Sequence, residues 1–563
     1  MPGLSLYDFG DSIRSGANKA KEDEVPFSSI DLTDTEQMKR YMDAVAVNIR
    51  PVLQWDDIAE KSTRVGSLYF GGNKGSMTFE GMTTINVPRE IVIYEKVVGG
   101  CNDACVVETE YNAAYHGGLL EPGEPFNGMD NVKICLNVNA YLQPRELVLS
   151  YMDNDLFVEN CEFVLDTLTR KTIETYDNHT LVSPTYVDAN IYGGCYTSGH
   201  VKGDVVININ KPLIHPKVFE DEFARNILHA TGEDVYGSAM AVYGGGYGEL
   251  SVVEGNTQVN LFDEASALLV FGGGEMGVVE GNTEVNFAYD MKLPTDDAYS
   301  IAHNINVYKA YAAGYAGNVN GNATLNLNGG GVLRGFGGAC NADVMGTTTA
   351  IVGWRDEDGD EYNYGRPYVA NAVFGGNDFG GQVYGDTLRT IQIRDYYGNR
   401  IEELQVRSQS YVQYLSGNIG KALYGGSYGS YDYTRKDIYN VPPVKDPEFT
   451  TDIAPDNKDV IASNTFVHVD SKSRDEQDII GSATHKDPSI ITGIMGGGRG
   501  YRNLPGHVEV GQTYVLLNGT DYNLRNNATP MAYRVYGGGN LSLVHHTRID
   551  AYSGTVRQIF GGT

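Results

Sequence analysis

Short glycine-rich segments recur along the chain, and this repetition limits the fold more than any other feature. The segment VYGGGYGELSVVEGNTQVNL at 242–261 is followed by VFGGGEMGVVEGNTEVNF at 270–287, and about a dozen variants occur between 68 and 562. Each copy combines an apolar pair, a glycine corner, a short strand, a Gly-Asn or Gly-Asp turn and an alternating strand. A unit of about 18 to 30 residues cannot bury its apolar face alone, so neighbouring units must stack.

The residues of one copy indicate how it is used. Alternation with period two places Val285 and Phe287 on one face of a strand and Glu284 and Asn286 on the other, as in a half-buried strand. Glycine makes up 69 of 563 residues, about 12% against an average of about 7%. It permits positive φ and close approach at the corners. Asn and Thr after the second turn can bond to local backbone and stack in ladders from copy to copy.

These observations predict an all-β fold, a parallel β-solenoid (β-helix) over 67–563. A propeller needs a more even period than this chain has, and an array of sandwiches is the other alternative. Polar stretches between copies predict loop inserts, where recognition usually resides. They fall near 211–240, 288–309, 354–372, 394–420 and 431–490.

A different pattern precedes the repeats. Thr33 and Glu36 have the spacing of a capping box, apolar residues then follow at helical intervals, and Pro51 ends the pattern. The region 33–66 is therefore predicted to hold one short amphipathic helix with a linker, which would cap the first coil of the solenoid.

The charge balance excludes two classes of partner. Lys plus Arg number 42 against 72 Asp plus Glu, which gives a formal charge of −30. Such a surface repels phosphate backbones and anionic headgroups, so we expect no nucleic acid partner.

No apolar run reaches the roughly 18 to 20 residues of a membrane span, so we expect no membrane insertion within this chain. The N-terminus has no signal-peptide pattern.

Six cysteines occur in the chain and follow no paired metal-ligand spacing. We expect ordinary buried small residues rather than a disulfide or a metal site. They are Cys101, Cys105, Cys135, Cys161, Cys195 and Cys340.

One acidic segment has a spacing suited to a cation. WRDEDGDEYNYG at 354–365 places Asp356, Asp358 and Asp360 at alternate positions, which can wrap oxygen ligands around calcium. The EF-hand pattern is not followed, because the twelfth position is Pro367. The alternative is a solvated acidic loop. The sequence singles out no catalytic residue and no residue for binding an organic cofactor.

The repeats, with TEYNAAYHGGLL at 109–120 and YGRPYVANAVFGGND at 364–378, resemble the glycine-rich, adhesin-like surface proteins of gut Bacteroidota. The resemblance covers about 67–563 and is a style of repeat without a catalytic motif. It implies a non-enzymatic structural protein, extracellular or at the cell surface, that binds glycans or host surface proteins. The β-helix class leaves a polysaccharide lyase or hydrolase as the alternative.

The first residues resemble something else. MPGLSLYDFGDSIRSGANKAKEDE at 1–24 is similar to an internal segment of the aminoglycoside-phosphotransferase-like N-acetylhexosamine kinases, with Asp8, Asp11 and Arg14 on matching positions. The catalytic loop, the metal-binding Asp and the nucleotide lobe that precede this segment in the family are absent. The fragment, 1–32, is therefore expected to be irregular and without phosphotransferase activity. The juxtaposition predicts an incomplete or chimeric N-terminus.

Overall fold

A computed structural model describes twenty-one segments of the chain between residues 63 and 562. The predicted kinase-like segment and the predicted amphipathic helix lie outside the described residues. The segments are 63–79, 83–87, 91–109, 132–138, 141–142, 146–153, 156–164, 179–186, 190–209, 239–262, 265–288, 305–355, 364–365, 367–394, 399–429, 460–471, 480–481, 492–500, 508–518, 532–553 and 556–562.

Regular structure in these segments consists of strands, and no helix occurs within them. The strands are β1 (Thr63–Tyr69), β2 (Met77–Phe79), β3 (Thr83–Val87), β4 (Ile91–Val98), β5 (Cys105–Thr109), β6 (Val132–Val138), β7 (Tyr141–Leu142), β8 (Glu146–Asp153), β9 (Leu156–Val164), β10 (His179–Tyr186), β11 (Asn190–Tyr192), β12 (Ser198–Val201), β13 (Asp204–Ile209), β14 (Ala239–Tyr243), β15 (Leu250–Val253), β16 (Thr257–Leu261), β17 (Ser266–Phe271), β18 (Val278–Val279) and β19 (Thr283–Phe287). The remainder are β20 (Asn306–Tyr311), β21 (Ala323–Leu327), β22 (Gly331–Phe336), β23 (Thr348–Val352), β24 (Trp354–Arg355), β25 (Tyr364–Gly365), β26 (Tyr368–Phe374), β27 (Thr387–Arg394), β28 (Arg400–Ser408), β29 (Ser410–Tyr414), β30 (Asn418–Ile419), β31 (Ala422–Tyr424), β32 (Val460–Val469), β33 (Gly493–Met495), β34 (Val508–Asn518), β35 (Ala532–Tyr536), β36 (Leu543–Ser553) and β37 (Val556–Phe560).

Three parallel sheets contain most of these strands. Sheet A has the order β1-β4-β11-β14-β17-β20-β22-β26-β31-β33-β35-β37, with β7 and β30 attached beside the path. Sheet B has the order β18-β15-β12-β5-β2, and sheet C the order β3-β6-β13-β16-β19-β21-β23-β29-β32-β34-β36. The small antiparallel sheets are β10-β8-β9, β24-β25 and β27-β28. The fold is thus all-β and mostly parallel, which is compatible with the predicted solenoid.

The chain visits the three sheets in a repeating order. From β14 it passes to β15 in sheet B and β16 in sheet C, and then returns to sheet A at β17, directly beside β14. We call one such pass a rung. Later rungs cross the position of sheet B by single bridges, such as Val279 to Val319 and Val319 to Val344.

Identical positions of successive rungs lie side by side. In sheet C, Val259 pairs with Val285, and Val285 pairs with Leu325. These side chains are buried in one apolar cluster that also holds Val270 of sheet A and Val279 of sheet B. Val285 and Phe287 lie in this interior as predicted, but Asn286 between them is also buried, so the prediction of a half-buried strand is wrong for that residue.

Several predicted inserts are too wide, because strands of the long sheets lie within their ranges. β20 begins inside 288–309, β26 inside 354–372 and β32 inside 431–490, while β29 lies wholly inside 394–420. A strand such as SYVQY at β29 has no Gly-Asn turn before it, so the sequence lacks the signal that marked the other copies.

The glycine corners hold adjacent rungs at backbone contact. A Cβ added at Gly272 would overlap the carbonyl oxygen of Ala312 in the next rung, and one added at Gly245 would lie 2.8 Å from the nitrogen of Gly274. Neither glycine has a positive φ, so close approach rather than backbone conformation requires glycine here.

We predict that Gly272→Ala lowers the free energy of unfolding by about 1–3 kcal/mol, the usual cost of overpacking a filled site. Urea denaturation followed by circular dichroism measures the change. Gly75→Ala is the matched control, because a Cβ there meets no atom within 4 Å. Equal stability of the two variants would contradict the contact-based explanation.

Candidate functional site

The predicted calcium segment falls in sequence between two short strands that pair with each other. Trp354 pairs with Gly365 and Arg355 with Tyr364 in the antiparallel pair β24-β25. Asp356, Asp358 and Asp360 fall between these strands, outside the described residues, so the calcium site stays a prediction.

A column of stacked aromatic rings runs along sheet A. Six consecutive pairs have ring centroids 4.6 to 5.1 Å apart and planes within 10° of parallel. Parallel in-register pairing creates the column, because the same strand position holds an aromatic residue in each rung. We call it the aromatic ladder. Its members are Tyr192, Tyr243, Phe271, Tyr311, Phe336, Phe374 and Tyr424.

The ladder rings are interior residues. Every member of the ladder is buried, so these rings are not available to a ligand. Along most of these strands the residue before the ring, such as Val270 before Phe271, points to the opposite face of the sheet, and both residues are buried in the same apolar cluster. The ladder is therefore a packed second layer on the other face of sheet A.

Tyrosine hydroxyls of the ladder bond to carboxylates two strands away. Tyr192 Oη donates to Glu275 Oε2 at 2.6 Å, and Glu275 follows Phe271, two positions further along the ladder. Tyr311 Oη donates to Asp378 Oδ2 at 2.6 Å, and Asp378 stands in the same relation to Phe374. Burial, followed by the charge of Glu275, raises the pKa of Tyr192 well above its ordinary value.

Asparagines form a second column on sheet C. Asn260 Nδ2 donates to Asn208 Oδ1 at 2.9 Å, Asn286 to Asn260 at 2.9 Å and Asn326 to Asn286 at 2.8 Å. Asn260, Asn286 and Asn326 are buried. This column is not among the positions from which the sequence predicted stacking, although the recurring N in TQVNL, TEVNF and ATLNL is a visible signal.

The predicted Asn positions after the second turn do form a ladder. Asn256 Oδ1 accepts from the backbone N of Asn282 at 2.8 Å, and Asn282 Oδ1 accepts from the N of Asn322 at 2.8 Å. Each side chain thus bonds to the backbone of the next rung rather than to its own turn.

Three buried cysteines meet between two rungs. Cys101 and Cys105 form a disulfide, and Cys195 Sγ lies 3.7 Å from Cys101 Sγ. All three sulfur atoms lie within 4.8 Å of one another. The expectation of ordinary buried residues is therefore wrong for Cys101 and Cys105, whereas Cys195 and Cys340 are buried free thiols. The three sulfurs can act together as soft-metal ligands only after the disulfide is reduced.

Burial makes the Cys195 thiol unreactive. It raises the pKa of Cys195 to about 11, while a backbone hydrogen bond from Cys101 acts in the opposite direction. Because the thiolate is the nucleophile, a thiol with this pKa is a poor one at neutral pH.

One column of the rungs is exposed throughout. Each of its residues comes directly after a valine that pairs or bridges at the position of sheet B. The backbone N of each residue donates a hydrogen bond to a carbonyl of the preceding rung. We call it the corner column. Its members are Lys202, Glu254, Glu280, Asn320, Met345 and Tyr384.

Comparisons with known protein families, with curated proteins and with solved structures gave no match. Among the segments described above, none forms a helix with the length and apolar character needed to cross a membrane.

The cysteine geometry predicts a labelling pattern. In the unfolded, unreduced protein, iodoacetamide should modify Cys195 but not Cys101 or Cys105, which become reactive only after reduction. In the native protein at about pH 7.5, burial should also protect Cys195 from iodoacetamide. Peptide mass spectrometry reads each site separately. Labelling of Cys105 in place of Cys195 without reduction would contradict the assigned disulfide.

Buried ladder tyrosines predict a loss of stability in alkali. The pKa values of Tyr192 and Tyr243 are raised, chiefly by burial, above the ordinary value of 10.0. Between that value and the folded pKa, the native state binds more protons than the unfolded state, so stability falls as pH rises. The free energy of unfolding should therefore decline more steeply above pH 10.0 in the wild type than in Tyr243→Phe.

The control for this experiment is Tyr368→Phe, which removes the hydroxyl of an exposed tyrosine. The free energy of unfolding of this variant should depend on pH in the same way as that of the wild type. A Tyr243→Phe curve parallel to both would show that ladder ionisation does not limit alkaline stability.

Proposed function

We propose that the chain is a parallel β-solenoid that serves as a non-enzymatic, adhesin-like rod, extracellular or at the cell surface. Its glycine corners and ladders build the shaft, and its exposed corner column and inserts bind ligands. Neutral glycans are the ligand class that this surface suits best.

The observation that carries the proposal is the register of the rungs. Twelve strands follow one another in sheet A, and at about 4.8 Å per strand this path extends roughly 50 Å. The aromatic and asparagine columns make their contacts from rung to rung. Such side chains stabilise a shaft, and their burial leaves them inaccessible to a ligand.

The extracellular location is supported by the disulfide and by charge. Disulfides such as Cys101–Cys105 persist mainly in oxidising compartments. The formal charge of −30 favours solubility and repulsion between rods. Both properties suit a protein that is exposed to the extracellular medium.

Glycan binding is supported by the composition of the corner column. Glu254 and Glu280 offer carboxylates that accept hydrogen bonds from sugar hydroxyls, and Asn320 adds an amide. Tyr384 offers a half-exposed aromatic face two rungs from Asn320, beside Met345. Flat aromatic surfaces bind with little loss of conformational entropy. The carboxylates would repel sulfated or sialylated chains, which is why we favour neutral glycans.

The polysaccharide lyase or hydrolase alternative stays a prediction, as does binding to host surface proteins. The same purified protein distinguishes them. Binding without cleavage supports the rod, whereas release of new reducing ends or unsaturated uronic acids from polysaccharides would support the enzyme.

We predict that the protein binds immobilised neutral glycans and that Tyr384→Ala weakens this binding about tenfold, as expected for loss of one stacking surface. A glycan microarray identifies the probe, and surface plasmon resonance with that glycan measures affinity. Tyr368→Ala is the matched control, since Tyr368 is 56% exposed and Tyr384 50% exposed. Absence of binding to every neutral glycan would overturn the ligand assignment.

A further inference from the structure

A lysine and an aspartate are buried together on the face of sheet A that carries the aromatic ladder. Lys309 lies on β20, and Asp378 lies four residues beyond the end of β26, two strands further along the sheet. Lys309 Nζ is 3.4 Å from Asp378 Oδ2, and the side chains are 4% and 0% exposed. The contact joins residues 69 apart in sequence.

Aromatic rings exclude water from this pair. The Tyr311 ring stacks between Phe271 and Phe336, with centroid distances of 4.6 and 4.8 Å. Its hydroxyl donates to Asp378 Oδ2, the same oxygen that Lys309 approaches. Cys340 lies within the electrostatic reach of both charged groups, and burial raises its pKa well above the ordinary value.

Such burial favours a neutral product over two charges. Removing an ammonium and a carboxylate from water costs several kcal/mol per ion, which their attraction repays only in part. An amide between them carries no net charge. Exclusion of water also disfavours the reverse reaction, because hydrolysis needs a water molecule at the bond.

We propose that Lys309 and Asp378 condense into an intramolecular isopeptide bond. The Nζ–Oδ2 separation of 3.4 Å holds the lysine nitrogen against the carboxyl group whose Cγ it attacks, and such positioning favours an intramolecular reaction. The nitrogen of Lys309 bonds to Cγ of Asp378, and the bond from Cγ to Oδ2 breaks. The ammonium group loses two protons, the departing oxygen gains them, and one water molecule leaves. Neither an oxidant nor a cofactor is required.

Tyr311 is the catalytic residue of this step. Its hydroxyl already donates to Oδ2, the oxygen that must depart, so it can pass a proton to that atom. Its own proton is then replaced from the lysine nitrogen. The stacking of its ring on both neighbours fixes the position of the hydroxyl.

Two related sites within the described segments lack the amine. Tyr192 bonds to Glu275, but the residue two positions before it is Asn190. Tyr424 is hydrogen-bonded to Asn540, and the corresponding residue before it is Ala422. Of these three sites, only the one at Tyr311 places a lysine two residues before the tyrosine and an acid beside it.

Mass spectrometry of the full-length wild-type protein tests the bond. We expect the denatured and reduced protein to be lighter than its sequence by one water molecule. Trypsin should leave Lys309 uncut and release residues 293–334 joined to residues 356–389 as one branched peptide. Full mass with two separate peptides would overturn the proposal and leave an ion pair only.

Loss of water alone is not sufficient, because Asp358-Gly359 lies in the same peptide and can form a succinimide. Fragmentation must place the link between Lys309 and Asp378. A lighter protein whose two tryptic peptides separate would therefore also overturn the proposal.

Variants assign the roles of the residues. Lys309→Gln should restore full mass, whereas Lys202→Gln, an exposed lysine in the corner column, should retain the bond. Tyr311→Phe keeps the ring and should slow bond formation at least about a hundredfold, the range of general acid catalysis. Cross-linking at the wild-type rate in Tyr311→Phe would overturn the assignment of Tyr311. The wild-type mass decides the proposal even if a variant fails to fold.

Discussion

Backbone contact between glycine corners is the constraint on which the other features of this structure depend. The N of Gly245 bonds to the carbonyl of Gly273, and the N of Gly273 bonds to the carbonyl of Ala313, each at 3.1 Å. A Cβ added at Gly245 or Gly273 would lie 2.8 or 2.7 Å from a backbone nitrogen of the next rung, whereas the equivalent corner one rung further on holds Ala312 and Ala313. Because the corner keeps the spacing of paired strands, sheets A and B on either side of it can both remain in register.

Because the strands pair in register, the same position of successive rungs forms a column of neighbouring side chains. The position of Phe271 becomes a stack of rings, that of Asn286 a chain of amides, and that of Glu280 an exposed mixed surface. The same arrangement places Lys309 beside Asp378, although a strand of another rung lies between their own. Chemistry in this fold therefore depends on which residues share a column, and distance along the chain is a poor guide to contact.

The repeat made much of this architecture predictable. Alternation in TEVNF identified Val285 and Phe287 as interior, and the glycine corners indicated stacked parallel units. Burial of Asn286 was not predictable, because period two separates the two faces of a strand without indicating whether the outer one is covered. The Lys309–Asp378 contact was also beyond the sequence, since insertions of unequal length separate the rungs and hide which residues align. The approach of Cys195 to Cys101, across 94 residues, could not be predicted for the same reason.

The tyrosine contacts that pass over one strand have a consequence for how the stacked rungs come apart. Repeat proteins are usually described by the stability of each unit and its bond to the adjacent unit. Here the hydroxyl of Tyr192 reaches past the rung of Tyr243 to Glu275. An interaction energy between a rung and the second rung beyond it must therefore be added. Removing one rung then breaks contacts between the rungs on both sides of it. Under tension, such a stack should yield in blocks of at least three rungs rather than one rung at a time.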